Sequence, residues 1–199
     1  MRISVDAEKL ENFSQNHVNF YLKYSSFVFK ALKKPSFQKF LRWMLKKEKI
    51  EEHSVSAVQV KVLPFRRKNG NGIAGKCNTA KGRIRIYPKT MKFCNIFKQK
   101  FGRHNLLAYA GNRARAALIH ELLHLKYEGD EKTVRELAED YFCVFTQKRY
   151  IQSTRSLFIY TMIFNAKNSG EKAPSNVSNM ARTKSKLNDT CLRTSGVFK

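Results

Sequence analysis

His120-Glu121-Leu122-Leu123-His124 places two imidazoles and a carboxylate in one five-residue window, and no other part of the chain is as well suited to chemistry. On a helix, positions i and i+4 lie one above the other, so His120 and His124 project from one face. They can supply two nitrogen ligands to a single zinc ion. Glu121 lies one position round, beside the ion and not on it, where it can act as general base toward a water. Zinc lowers the pKa of water to about 7 and polarises a scissile carbonyl, so the implied reaction is hydrolysis of peptide bonds at neutral pH.

A catalytic zinc needs three protein ligands and one open position. The third ligand must come from downstream, where Glu128, Asp130, Glu131, Glu136, Glu139 and Asp140 are the choices. At 100° per residue, Glu136, Glu139 and Asp140 point away from the apolar stripe of their helix. Asp130 and Glu131 fall near it. Asp130 is placed to cap the helix, which would commit its carboxylate to backbone N–H groups. Glu131, in the first turn, is freer to reach the metal and is the favoured ligand, with Asp130 as the alternative.

HELLHLKY followed by GDEKTVRELAEDYF resembles the core of a small H-E-x-x-H zincin metallopeptidase of the minimal gluzincin type, and is similar to ImmA-like and SprT/WLM-like proteins. In gluzincins the third ligand is a Glu opening an E-x-x-A-[ND] motif on the next helix. Glu131-Lys132-Thr133-Val134-Arg135 stands there, with Val134 and Arg135 in place of the small and Asx residues. The ten-residue offset from His120 to Asp130 is similar to the metzincin pattern, but Tyr127 occupies the position of its glycine. The resemblance covers roughly Val55 to Phe145. It implies an α+β, minimal zincin-like domain in which a small antiparallel or mixed sheet packs on the H-E-x-x-H helix and a following ligand helix. It also implies a sheet edge that binds a polypeptide substrate as an added strand. Arg83 to Tyr87 is the expected edge, with Arg83 and Arg85 facing outward and Tyr87 beside them. Tyr127 and Tyr141 are the hydroxyls that could stabilise an oxyanion, although packing roles fit both.

The elements that must position these groups follow from periodicity. Phe20, Tyr21, Tyr24, Phe27 and Val28 share a stripe on a helix over about 17–32. Pro35 can open a second helix, in which Phe37, Phe40, Leu41, Met44 and Leu45 recur at helical spacing. Val58, Val60 and Val62 alternate with Gln59 and Lys61 over 54–63, which predicts a half-buried strand. The glycine- and asparagine-rich stretch 66–82 reads as a long loop. A strand at 83–87 stops at Pro88, and a helix over about 91–101 ends at Gly102. After a short link, the Ala- and Leu-rich helix runs over about 112–127 and terminates at Gly129. Asp130 caps a final helix carrying Val134, Leu137, Ala138, Tyr141, Phe142 and Phe145. Three regions result: an N-terminal helical region over 1–53, the metallopeptidase core over 54–150, and a basic, largely disordered tail over 151–199.

Composition sets the outer bounds. In 199 residues, 39 Lys and Arg face 15 Asp and Glu, a formal charge of +24. Such an excess attracts polyanions, so nucleic acid is a possible partner through the basic surface and tail. Two alternatives to the peptidase follow: a basic nucleic-acid-binding protein with a structural or non-catalytic zinc site, and a metal-dependent RNA hydrolase. A structural site would not need Glu121, and the RNA hydrolase would more naturally carry a third histidine at position 130. The four scattered cysteines argue against a thiolate zinc site and a disulfide framework. The N-terminus lacks the apolar core of a signal peptide, and the longest apolar run, Leu157 to Phe164, is too short to span a bilayer. The expected location is a reducing cytoplasm.

Overall fold

Alternating valines and isoleucines build one face of a four-stranded mixed sheet, and the helices cover that face. A computed structural model describes residues 1–7, 10, 13–65 and 72–147. In chain order its elements are β1 (Ile3–Asp6), α1 (Gln15–Leu32), α2 (Pro35–Glu48), β2 (Ala57–Lys61), β3 (Gly75–Asn78), β4 (Arg83–Ile86), α3 (Met91–Leu123) and α4 (Glu131–Gln147). The class is α+β, with strand order β1-β2-β4-β3. β1, β2 and β4 run parallel, and β3 pairs antiparallel with β4. In this register Val58 and Val60 sit between Ile3 and Val5 on one side and Ile84 and Ile86 on the other.

Three expectations are corrected here. The segment 1–53 contributes the strand β1 as well as helices, and its pairing with β2 ties this segment into the sheet. The stretch read as a loop contains β3, whose four residues carry too little side-chain pattern to announce a strand. β4 is flanked by β2 and β3, so Arg83 to Ile86 is an interior strand; the edges are β1 and β3, and β3 is the one beside Glu121. The basic tail, the run Leu157 to Phe164 and residues 66–71 lie outside the described residues.

α3 lies against this sheet and departs from helical geometry at Gly102 (φ 81°, ψ 162°). The helix predicted to begin near Asn112 resumes directly after that break, and it ends at Leu123 rather than near Tyr127. Leu118, Ile119, Leu122 and Leu123 are buried between the sheet and Val134, Ala138 and Phe142 of α4. Arg115, also buried, donates to the Ala31 carbonyl at the end of α1 (3.2 Å) and lies over the rings of Phe37 and Phe145. It thus ties α3 to α1, α2 and α4 at once. Cys77 and Cys94 are free thiols among the described residues. Among the described residues, no helix is long and apolar enough to cross a membrane.

The β3–β4 turn depends on Gly82, whose φ of 56° is left-handed and whose carbonyl accepts from the Ser56 N–H at 2.9 Å. A Cβ there would lie 1.9 Å from the Ser54 carbonyl oxygen. Gly82→Ala is therefore expected to destabilise the fold by more than the ~1–2 kcal/mol of a left-handed alanine alone. Denaturant titration measures this, and an unchanged midpoint would contradict the geometry.

Candidate metal centre

The metal-ligating window falls in the last turn of α3. His124 is the C-cap of that helix, its N–H directed at the His120 carbonyl. The chain then turns through Gly129 and re-enters a helix at Glu131. Asp130 caps α4 as its type predicts: its Oδ1 accepts from the Thr133 N–H at 3.0 Å. The hydrogen bonding from Thr133 holds the Asp130 carboxyl below its ordinary range. Its carboxylate is committed to the helix end and does not join the histidines.

Glu131 does join them. Its Oε2 lies 3.6 Å from His120 Nε2 and 3.4 Å from His124 Nε2, and the two Nε2 atoms are 3.2 Å apart. A tetrahedral ion with bonds of ~2.0–2.1 Å separates its ligands by about 3.3–3.4 Å. The three atoms already trace one face of such a tetrahedron. His120, His124 and Glu131 therefore form a group that could hold a metal ion. Arg135 reaches the other Glu131 oxygen at 3.4 Å, leaving Oε2 toward the histidines. The helix ends assist: a cation is favoured at the carboxyl end of α3, and the Glu131 carboxylate at the amino end of α4.

Glu121 is only 7% exposed and rests against β3. A Cβ at Gly75 would lie 2.6 Å from Glu121 Cγ and 2.7 Å from its Oε1, so the glycine leaves the space that the carboxylate occupies. Sequence reading missed Gly75 because it stands among other glycines in an apparent loop. Cys77, two residues along the same strand, also faces this side. Burial first, then the charges of Glu121 and Glu128, push its thiol up to about 12.

The two tyrosines considered as oxyanion donors are both engaged elsewhere. Tyr127 Oη donates to Glu48 Oε2 at 2.8 Å, Tyr141 Oη donates to Glu48 Oε1, and Lys126 Nζ adds a contact of 3.0 Å. Glu48, at the end of α2, thus fastens the turn between His124 and Glu131 to α4. A signal was present in the sequence: Glu48 continues the Leu41, Met44 and Leu45 spacing and puts a carboxylate on a buried face. Burial alone would raise its pKa, but hydrogen bonds from Tyr141, Lys126 and Tyr127 bring it below the ordinary value of 4.5. Tyr87 is likewise a core residue. It packs on Phe65, and its carbonyl accepts from buried Arg113 at 2.6 Å. Arg83 and Arg85 lie on the outer sheet face, on an interior strand.

No protein-family model, curated protein or solved structure matches the chain.

Two outcomes follow from this geometry. Glu131→Ala should weaken metal binding strongly, whereas Asp130→Ala should spare it and cost about 1 kcal/mol of stability through the lost cap. Calorimetric zinc titration beside thermal melting separates the two, and the reverse pattern would reassign the ligand. For Glu48, a depressed carboxyl contributes stability that is present above its ordinary pKa and is lost as pH falls through the folded value. Glu48→Gln should therefore flatten the acid limb of stability below about pH 4.5. Parallel acid limbs in the variant and wild type would contradict that role.

Proposed function

We propose that the chain is a zinc-dependent peptidase that hydrolyses peptide bonds, with His120, His124 and Glu131 as metal ligands and Glu121 as general base. The observation that carries this reading is the triangle of 3.2, 3.4 and 3.6 Å among the three ligand atoms. Two imidazoles and one carboxylate are a ligand set found in catalytic zinc sites, and the three edges fit zinc bond lengths. Bound zinc would supply Lewis acidity to a substrate carbonyl and acidity to a water at neutral pH. The H-E-x-x-H window followed by a helix opening on a glutamate is the arrangement that the gluzincin resemblance implies, and it supports the assignment.

The remaining steps belong to the chain's own side chains. Glu121 accepts the proton of the attacking water on a carboxylate oxygen and returns it to the departing amine. β3 takes the place first expected of Arg83 to Tyr87 as the edge that receives the substrate backbone. The Ala74 carbonyl accepts from the Tyr87 N–H, so Ala74, Lys76 and Asn78 turn their backbone groups toward β4. Those of Gly75 and Cys77 then face the edge. These are the residues on the Glu121 side of the strand, which brings a bound backbone close to the base. A purely structural zinc site, as in the nucleic-acid-binding alternative, would need neither Glu121 nor a glycine cleared for it.

Glu121→Gln should retain zinc and the fold while losing about 10²–10⁴-fold in hydrolysis of an unfolded protein substrate. Near-normal turnover in a zinc-loaded variant would remove Glu121 as the base.

A further inference from the structure

The outer face of the sheet carries an arrangement that the zinc chemistry does not use. Lys76 and Arg85 are direct cross-strand partners, and Arg83 lies one row along on the same face. Like charges directly opposite one another destabilise a sheet. No Asp or Glu occurs anywhere between Glu52 and Glu121, so the surrounding sequence supplies no counter-charge from its own segment. Lys76 and Arg83 are exposed, and the Arg85 Nε is buried without a hydrogen-bond partner among the described residues. These three cations stand on β3, the edge strand that lies against Glu121, and on its neighbour β4.

From this juxtaposition we infer that the β3 edge selects acidic polypeptide segments, with Lys76, and Arg85 behind it in the same row, facing the carboxylate of the added-strand residue opposite Lys76. The inference rests on the peptidase reading for the position of that strand. Side chains alternate across a sheet, so residues of the added strand opposite Gly75 and Cys77 face Glu121, and those opposite Lys76 face the basic row. An acidic side chain there relieves the Lys76–Arg85 repulsion and gains two ion pairs. A polypeptide is favoured over nucleic acid because only a polypeptide also satisfies the outward backbone groups of Gly75 and Cys77.

The test uses the full-length, zinc-loaded protein and fluorescein-labelled ten-residue peptides that alternate Thr with Glu, Gln or Lys. Fluorescence anisotropy at low salt should show the Glu peptide binding about five- to tenfold tighter than the Gln peptide. Lys76→Glu should abolish that preference, and Lys76→Glu with Arg85→Glu should reverse it toward the Lys peptide. Lys39→Glu, an equal charge change on the exposed face of α2, should leave it intact. Equal affinity for all three peptides would overturn the inference, as would an equal loss from Lys39→Glu, which would mark general attraction to +24. A single-stranded oligonucleotide that outcompetes the Glu peptide and depends on Lys76 would also overturn it. The same peptides given to the wild-type enzyme separate the two readings. Charge-selective binding without cleavage of any peptide overturns the peptidase and leaves the acidic-strand site. Cleavage without charge preference does the opposite.

Discussion

The burial of Leu118, Ile119, Leu122 and Leu123 between the sheet and α4 is the constraint on which the candidate metal centre depends. These four side chains occupy the inner faces of the turns that carry His120, Glu121 and His124. Truncating one such leucine typically costs about 2–5 kcal/mol. Less visibly, it would let the end of α3 shift against α4, and the triangle of ligand atoms spans those two helices. Glu48 performs the complementary task on the polar side. By holding Tyr127 and Tyr141 together, it fixes the turn that separates His124 from Glu131. The apolar and polar sides of the same junction together set distances of 3.2–3.6 Å among groups from two elements.

Charge is divided along the chain in a way that suits this junction. The carboxylates of Glu121, Glu128, Asp130 and Glu131 gather where α3 ends and α4 begins, and a cation placed among them is favoured electrostatically. β2, β3, β4 and the first half of α3 carry basic residues and no Asp or Glu. A metal centre in an acidic corner, bordered by a basic sheet edge, gives the surface two regions of opposite sign only a few residues apart. On this reading the high net charge serves substrate approach as well as general attraction to polyanions.

Much of the candidate ligand group was legible in the sequence because helical geometry makes sequence spacing equivalent to spatial spacing. His120 and His124 needed only a helix to be brought together. Asp130 and Glu131 were separable because one sits at a capping position and the other inside the first turn. The sheet was less legible. β1 and β3 are four residues each, and pairing between distant strands leaves no local trace beyond a weak alternation. That is why Arg83 to Tyr87, the clearer pattern, reads as an edge strand, while β3 is hidden among glycines. Gly75 and Glu48 escaped notice for a related reason. Each acts on a residue far away in sequence, Gly75 by leaving space for Glu121 and Glu48 by engaging Tyr127 and Tyr141.

X-ray absorption at the zinc edge, recorded on protein loaded with one equivalent of zinc, tests the ligand set most directly. The predicted spectrum shows a shell of nitrogen and oxygen scatterers at ~2.0–2.1 Å, with the outer-shell pattern of two imidazoles. Sulfur scattering at ~2.3 Å would place Cys77 or another thiolate on the metal and contradict the His120, His124 and Glu131 centre. A spectrum with a single imidazole would contradict it equally.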